Sequence, residues 1–488
     1  MRQLFSTLLM LLLLCETASA NAFSSDNNEW VPVPLQREIE HVQPMTGVVL
    51  WPGTARYYHA KYGDCIQLEF KYYEPCALVK GCNEDGSIIY DWTLFDNALR
   101  DVASRGHQLI ARFFYIYPGD PAEEPAPTTV PQYIKDLPDY QETFSRSAAT
   151  YYPDWSHPEL ERFTMQFYTD FAERYADDPR LALWEIGFGH WAEYHIYPTP
   201  VKYGKNMPSM EFQKKFLLRI SEVCGDLPWL VSKGAADDSP IPGDEELMSL
   251  RFGLFEDSFM GDYFVNGGYK DRWESLFKGV RWHTGVIGGE IGPGHEERLN
   301  FLNPEGLFGH TFEELAAEYH FSFAISDLIV ESPYGTPERV KRASMSIGYR
   351  FAVKECLTDG NVTKLLVTNQ GIAPIYRDAY FAIGDIRSET SLRALLPNEE
   401  RWVEIPAVSL PDGSDIHIVC DNILPQQEIE FEARLSTNTS IRPVFQATTS
   451  DPLSDELSGK SMFSITGQPI DSPRKGLVIV NGQKILFE

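Results

Sequence analysis

DWTLFDNALRDVASRG (91–106), followed at once by HQLIARFFYIY (107–117), is the stretch that decides the fold of this chain. Leu94, Phe95, Leu99 and Val102 fall on one stripe at helical spacing, and Gly106 stands where a helix C-cap needs it. The next residues form an apolar, β-prone run. A helix that hands over directly to a buried strand is half of a βα repeat.

The same alternation extends outward from about Met45 to Met345. Strands are predicted at GVVLW (47–51), CIQLEFKYY (65–73), HQLIARFFYIY (107–117), LALWEIGFG (181–189), WLVSKGA (229–235), FGLFEDSFM (252–260), TGVIGGEIG (284–292) and SDLIVES (326–332). Eight is the number of a (β/α)8 TIM barrel. Amphipathic helices are predicted over 91–106, 157–178 and 209–226. The Pro-, Tyr- and Ser-rich stretch 118–156 follows the third strand, so in a barrel it belongs to the C-terminal rim, where binding sites are built.

Around Ser346 the texture changes to short period-2 runs separated by turn residues, which reads as a C-terminal all-β sandwich domain over 346–442. Residues 443–488 then read as a polar linker and a short β segment. At the other end, Arg2, the apolar run LFSTLLMLLLLC (4–15) and Ala18-Ser19-Ala20 compose a signal peptide over 1–20. The barrel domain therefore spans 21–345, and the expected location is secreted. Cleavage would leave Cys65, Cys76, Cys82, Cys224, Cys356 and Cys420. Cys76 with Cys82, and Cys356 with Cys420, are conceivable disulfides, and six free thiols are the alternative.

The chain of 488 residues carries 42 Lys and Arg against 70 Asp and Glu, a formal charge of −28. Such a surface repels phosphate backbones and anionic headgroups, which argues against nucleic-acid and membrane partners. It also disfavours strongly anionic polysaccharides unless a local basic groove exists.

Two carboxylates stand out. In WEIGFGHWAEYH (184–195), glycines 187 and 189 make room inside a strand whose end presents Trp191, Glu193 and His195. An aromatic ring beside Glu193 is expected to raise its carboxyl pKa and suit it to general-acid work. In GVIGGEIGPG (285–294), Glu290 is the lone charge of an apolar run, and a desolvated carboxylate needs partners or a chemical role. Two carboxylates facing one sugar are what glycosidic cleavage requires. Glu256 and Asp257 form a third acidic spot, with Asp257 able to bind sugar hydroxyls or orient Glu290. Arg112 is expected to hold Glu290 ionised, with Tyr115 and Tyr117 as further rim candidates and Trp92 or Trp282 lining subsites. A metal reading of His190, Glu193 and His195 fits no zincin spacing. No cofactor is expected.

These residues carry a resemblance. LEFKYYEP (68–75) followed by YDWTLFDNALRDVASRGHQLIARFFY (90–115) is similar to the early barrel of clan-A glycoside hydrolases. WEIGFGHWAEYH, GGE (288–290), EYHFSF (318–323), IGYRF (347–351) and TNQGIAPIYRD (368–378) resemble the secreted bacterial family defined as domain of unknown function 4832. The clan-A likeness implies that Glu193 is the acid/base and Glu290 the nucleophile of a retaining β-glycoside hydrolase. It also implies an Asn before the acid/base, where this chain has Ala192. A barrel that binds glycan or cell-wall material without cleaving it is the competing expectation. FSITGQPIDSPRKGLVIVNGQKILFE (463–488) resembles the sorting tail of Bacteroidetes proteins exported by the type IX pathway.

Overall fold

A computed structural model describes residues 30–120, 122–326 and 328–436, with the backbone of three short strands beyond them. The eight barrel strands are β1 (Gly47–Leu50), β2 (Leu68–Tyr73), β3 (Gln108–Phe113), β4 (Leu181–Ile186), β5 (Trp229–Ser232), β6 (Gly253–Phe259), β7 (Ile287–Ile291) and β8 (Phe323–Ile325). Each pairs in parallel with its chain neighbour, and Phe323 of β8 pairs with Gly47 of β1 to close the ring. This is the (β/α)8 barrel expected from the βα rhythm.

Seven strands lie within their predicted stretches. The eighth does not: β8 is FAI, and the predicted 326–332 begins where the barrel ends. Ser326 donates its backbone N–H to Val49 O at 3.0 Å, the last ladder bond of that strand. Register with β1 and β7 selected the first of two apolar runs of similar composition, a choice that periodicity alone does not make.

The helices form where amphipathic spacing places them. α1 (Thr93–Ala103) buries Phe95, Leu99 and Val102. α2 (Pro158–Tyr175) and α3 (Met210–Val223) pack beside each other, and Ser209 Oγ caps α3 by accepting from Phe212 N at 3.1 Å.

The C-terminal sandwich opposes two sheets. One holds β9 (Phe351–Thr358), β10 (Thr363–Asn369), β12 (Glu400–Ile405) and β14 (Phe431–Leu435), and the other holds β11 (Tyr380–Ile383) and β13 (Ile416–Val419). Phe351, Leu365, Val367, Val403, Phe381 and Ile418 fill the space between them. Leu35–Arg37 pairs with β14 and Val31–Pro32 with β9. The segment before the barrel, assigned to the barrel from sequence, is therefore built into the sandwich: an edge strand with unpaired backbone groups was available to it.

The sandwich seals the N-terminal mouth of the barrel. Its core runs on into the inward-facing Val49, Leu68, Ile110, Leu230 and Phe323. Gln108 Nε2 donates to Asn422 O at 2.8 Å and Tyr349 Oη to Pro44 O at 3.1 Å, both at the bottom of the barrel. Only the C-terminal mouth is left for a site.

The six cysteines of the described residues are free thiols, so neither suggested pairing forms. Cys356 and Cys420 are buried within the sandwich, where a thiol is stable as a small apolar side chain. The signal peptide and the linker lie outside the described residues. Of the tail, Met462–Ser464, Gly476–Val480 and Gln483–Phe487 form a three-stranded antiparallel sheet. Among the described residues no helix is long and apolar enough to cross a membrane.

Candidate active site

A cleft of about 540 Å³ opens at the C-terminal mouth, and both Glu193 and Glu290 line it. Glu290 is the penultimate residue of β7, so barrel closure alone delivers it there. Glu193 arrives by a different route. After β4 the chain makes a compact turn in which Gly189 N donates to Glu193 O at 2.7 Å and His190 N to His195 O at 2.9 Å. A Cβ on Gly187 would lie 1.9 Å from Ala192 O, and one on Gly189 would lie 2.2 Å from His195 O. The two glycines are thus required for the turn to fold back on itself. Trp191 and Ala192 take left-handed backbone at φ 54 and 60, a strained pair that surrounding structure must hold.

That hold comes from three sides. Trp191 N donates to Ile116 O beyond β3, and Tyr194 N donates to Ser232 Oγ at 3.0 Å on β5. His190 turns inward to Tyr152 Oη at 2.8 Å, in the long loop after β3. His190 is buried, and burial depresses its pKa to about 3, so it is neutral and does not join Glu193 and His195. The extended strand end drawn from sequence is therefore a turn, although Trp191, Glu193 and His195 still reach the cleft together.

Glu193 is buried and its Oε1 lies 3.3 Å from His195 Nε2. Burial pushes its pKa up, but the His195 charge and hydrogen bond, with Lys233 and Arg112 nearby, outweigh that and bring it down to about 2. The expected rise beside an aromatic ring is corrected: neighbouring cations win over the ring. His195 itself stacks on Tyr197 at 4.4 Å.

Below the cleft floor lies a buried charge network. Arg112 donates to Glu185 Oε2 at 2.6 Å, to both oxygens of Asp257 at 2.6 and 3.1 Å, and to Tyr72 Oη at 2.9 Å. Its guanidinium also lies 4.2 Å from the Phe255 ring. Arg112 therefore serves Asp257 and Glu185. Beside it, Lys233 Nζ donates to Glu256 Oε1 at 2.6 Å. Burial lifts Glu185 and Glu256 to pKa values of about 7 in spite of these cations. Glu185 Oε1, Glu256 Oε2 and His195 Nδ1 are buried with no hydrogen-bond partner among the described residues.

An aromatic belt borders one side, running Trp51, Tyr72, Tyr117 and Trp191 with neighbouring ring centroids 5.6, 5.9 and 6.3 Å apart. Three sequence candidates are elsewhere. Tyr115 is fully buried, bonded to Thr164 of α2 at 2.8 Å, just beyond the end of β3. Trp92 stacks on Tyr90 and Phe167 in the outer layer. Trp282 precedes β7, at the opposite mouth, where it stacks on His320 at 3.7 Å. Conversely, Trp51, Tyr72, Lys233 and Tyr269 line the cleft and were not foreseen. Trp51 and Lys233 lie within predicted strand stretches, each directly after the strand that forms, and a polar or aromatic residue at a strand's C-terminal end is the available signal.

Fold and site define a (β/α)8 barrel with an acidic, aromatic-bordered cleft at its C-terminal mouth. No family model and no curated protein matches the chain. Among solved structures, the lactosyl-enzyme intermediate of endo-glycoceramidase II from Rhodococcus sp. aligns over 78% of this chain and 100% of its own, at 12% identity and a TM-score of 0.38. The catalytic domain of beta-amylase from Paenibacillus polymyxa covers 65% of this chain and 99% of its own, at 10% identity and a TM-score of 0.39. An endoglucanase covers 62% and 97%, at 10% identity and a TM-score of 0.34. Such distant likenesses leave the chemistry to be argued from this chain's own side chains.

Proposed function

We propose that this protein is an exported glycoside hydrolase that cleaves a β-linked poly- or oligosaccharide with Glu193 and Glu290. The observation that carries this reading is the arrival of two carboxylates, from β4 and β7, on one aromatic-bordered cleft. Aromatic faces suit stacking against sugar rings, and paired carboxylates suit attack and protonation at an anomeric centre. The motif likeness to the secreted family with domain of unknown function 4832 and to clan-A hydrolases points the same way.

The electrostatics refine the roles. Glu193 Oε1 and His195 Nε2 lie 3.3 Å apart, close enough for a proton to pass between them. In this scheme Glu290 attacks the anomeric carbon and the bond to the leaving oxygen breaks. That oxygen takes the proton from the Glu193–His195 pair. Water, deprotonated by the same pair, then releases Glu290.

Glu290→Gln and Glu193→Gln are each expected to lower release of reducing sugar by roughly 10³-fold or more while the protein still binds the glycan. Retention of full activity in Glu290→Gln removes the nucleophile assignment. Binding of a glycan by the unsubstituted protein with no released product replaces the hydrolase with a carbohydrate-binding barrel.

A further inference from the structure

Lys233 is a buried cation that the two-carboxylate scheme leaves without a task. It directly follows β5, is 7% exposed, and lines the cleft. An ammonium has three N–H donors. One goes to Glu256 Oε1 at 2.6 Å, and the Tyr269 ring lies 4.1 Å from Nζ. Among the described residues Glu256 is its one hydrogen-bond acceptor.

The segment carrying Lys233 also packs against the Glu193 turn. Tyr194 N donates to Ser232 Oγ, and a Cβ on Gly234 would lie 3.1 Å from the Tyr194 carbonyl. Lys233 and Glu193 feel each other's charge. A buried donor with unused capacity, facing a cleft beside Glu193, demands an oxygen from whatever fills that cleft.

The charge around it decides which kind of oxygen. Glu193, Asp237, Asp238, Asp257 and Glu290 line the cleft against Lys233, Arg272 and Arg298. Lys233 is already balanced by Glu256, and Arg272 lies 2.5 Å from Asp237. With five carboxylates against three cations, the lining is not the local basic groove that an anionic polysaccharide requires. An added carboxylate would be one more negative charge in a lining of five carboxylates, and like charges repel.

We propose that Lys233 is a substrate-binding residue that donates a hydrogen bond to a hydroxyl of an uncharged sugar ring held between Glu193 and Glu290. This deepens the hydrolase reading by naming neutral glycans as the substrate class, and it rests on that reading for the position of the ring.

The test reads binding without turnover. Full-length Glu290→Gln protein is titrated with the p-nitrophenyl β-D-glycosides of glucose, galactose, mannose and xylose, with their monodeoxy analogues, and with p-nitrophenyl β-D-glucuronide. At least one neutral glycoside is expected to bind, with the glucuronide at least tenfold weaker. One monodeoxy analogue should lose about tenfold or more. Lys233→Met strands Glu256, so a second background, Lys233→Met with Glu256→Gln, is measured beside it, and thermal unfolding confirms its fold. In that background the penalty for the same missing hydroxyl should vanish, and Lys233→Arg should restore part of it.

Glucuronide binding as tight as that of the neutral sugars, a deoxy penalty unchanged without Lys233, or no binding by any probe overturns the proposal. Failure of the hydrolase reading is seen separately, as absence of product from protein with Glu290 intact.

Discussion

Two buried charge clusters sit in this barrel, one near each mouth, and they resemble each other closely until their hydrogen bonds are compared. Near the N-terminal ends of the strands, Glu69 is fully buried, with Arg105 on both of its oxygens at 2.8 and 2.6 Å and His107 on Oε1 at 2.7 Å. Both oxygens of that carboxylate are used, and Glu69 has no exposed surface. Near the C-terminal mouth, Arg112 serves Glu185 and Asp257, and Lys233 serves Glu256, yet Glu185 Oε1, Glu256 Oε2 and His195 Nδ1 remain without partners among the described residues. A carboxylate cluster built only for stability satisfies itself. The upper cluster does not, and it opens onto a cleft.

The largest test of this contrast removes the central arginine from each cluster. Arg105→Met and Arg112→Met each leave buried carboxylates uncompensated, and each is expected to cost about 3–5 kcal/mol in unfolding free energy. They should separate on ligand binding. Arg105→Met should leave glycan affinity unchanged, whereas Arg112→Met frees Asp257 in the cleft wall and should abolish it. Equal binding by the two variants would erase the distinction between the mouths.

The tryptophans sharpen it next. Trp282 is packed against His320 at the bottom and Trp191 borders the cleft. Trp282→Ala should cost about 3 kcal/mol of stability, with sugar affinity retained. Trp191→Ala should cost less than about 1 kcal/mol of stability and weaken sugar affinity about tenfold, since it loses a stacking face rather than core packing. Chemical denaturation and calorimetric titration on both variants decide this.

The last contrast is in pH, where the effect over any one pH unit is small. His190, buried against Tyr152, has its pKa depressed to about 3 by burial. A histidine with a lowered folded pKa contributes stability above its unfolded value of about 6.5, and that stability is lost as pH falls toward 3. Unfolding free energy is therefore expected to fall by about 1 kcal/mol per pH unit from this group just below pH 6. His190→Gln, which cannot titrate, should flatten that part of the profile. An unchanged slope would place the titrating group elsewhere.

Much of this is legible in the sequence, for reasons that differ from residue to residue. Glu193 and Glu290 announced themselves because a charge at the end of an apolar or glycine-rich strand has few structural excuses. Tyr115 and Tyr117 show the limit. Two residues apart on one predicted strand, they end in different layers: Tyr115 bonds to Thr164 on α2, and Tyr117 joins the aromatic belt. The strand ends at Phe113, before either of them, and period-2 counting does not see that. Trp92 and Trp282 failed similarly, since the tryptophans of a barrel pack the helical layer as readily as they line a cleft.

The alternation of apolar helices and strands, together with the number of strands, determined the barrel, because each element carries its own periodicity locally. The change of texture near Ser346 determined the second domain for the same reason. Which mouth is sealed, which arginine meets which carboxylate, and that Lys233 stands beside Glu193 were decided only in three dimensions. These depend on pairings between residues distant in the chain, set by barrel register and by one glycine-dependent turn, and no local pattern encodes them.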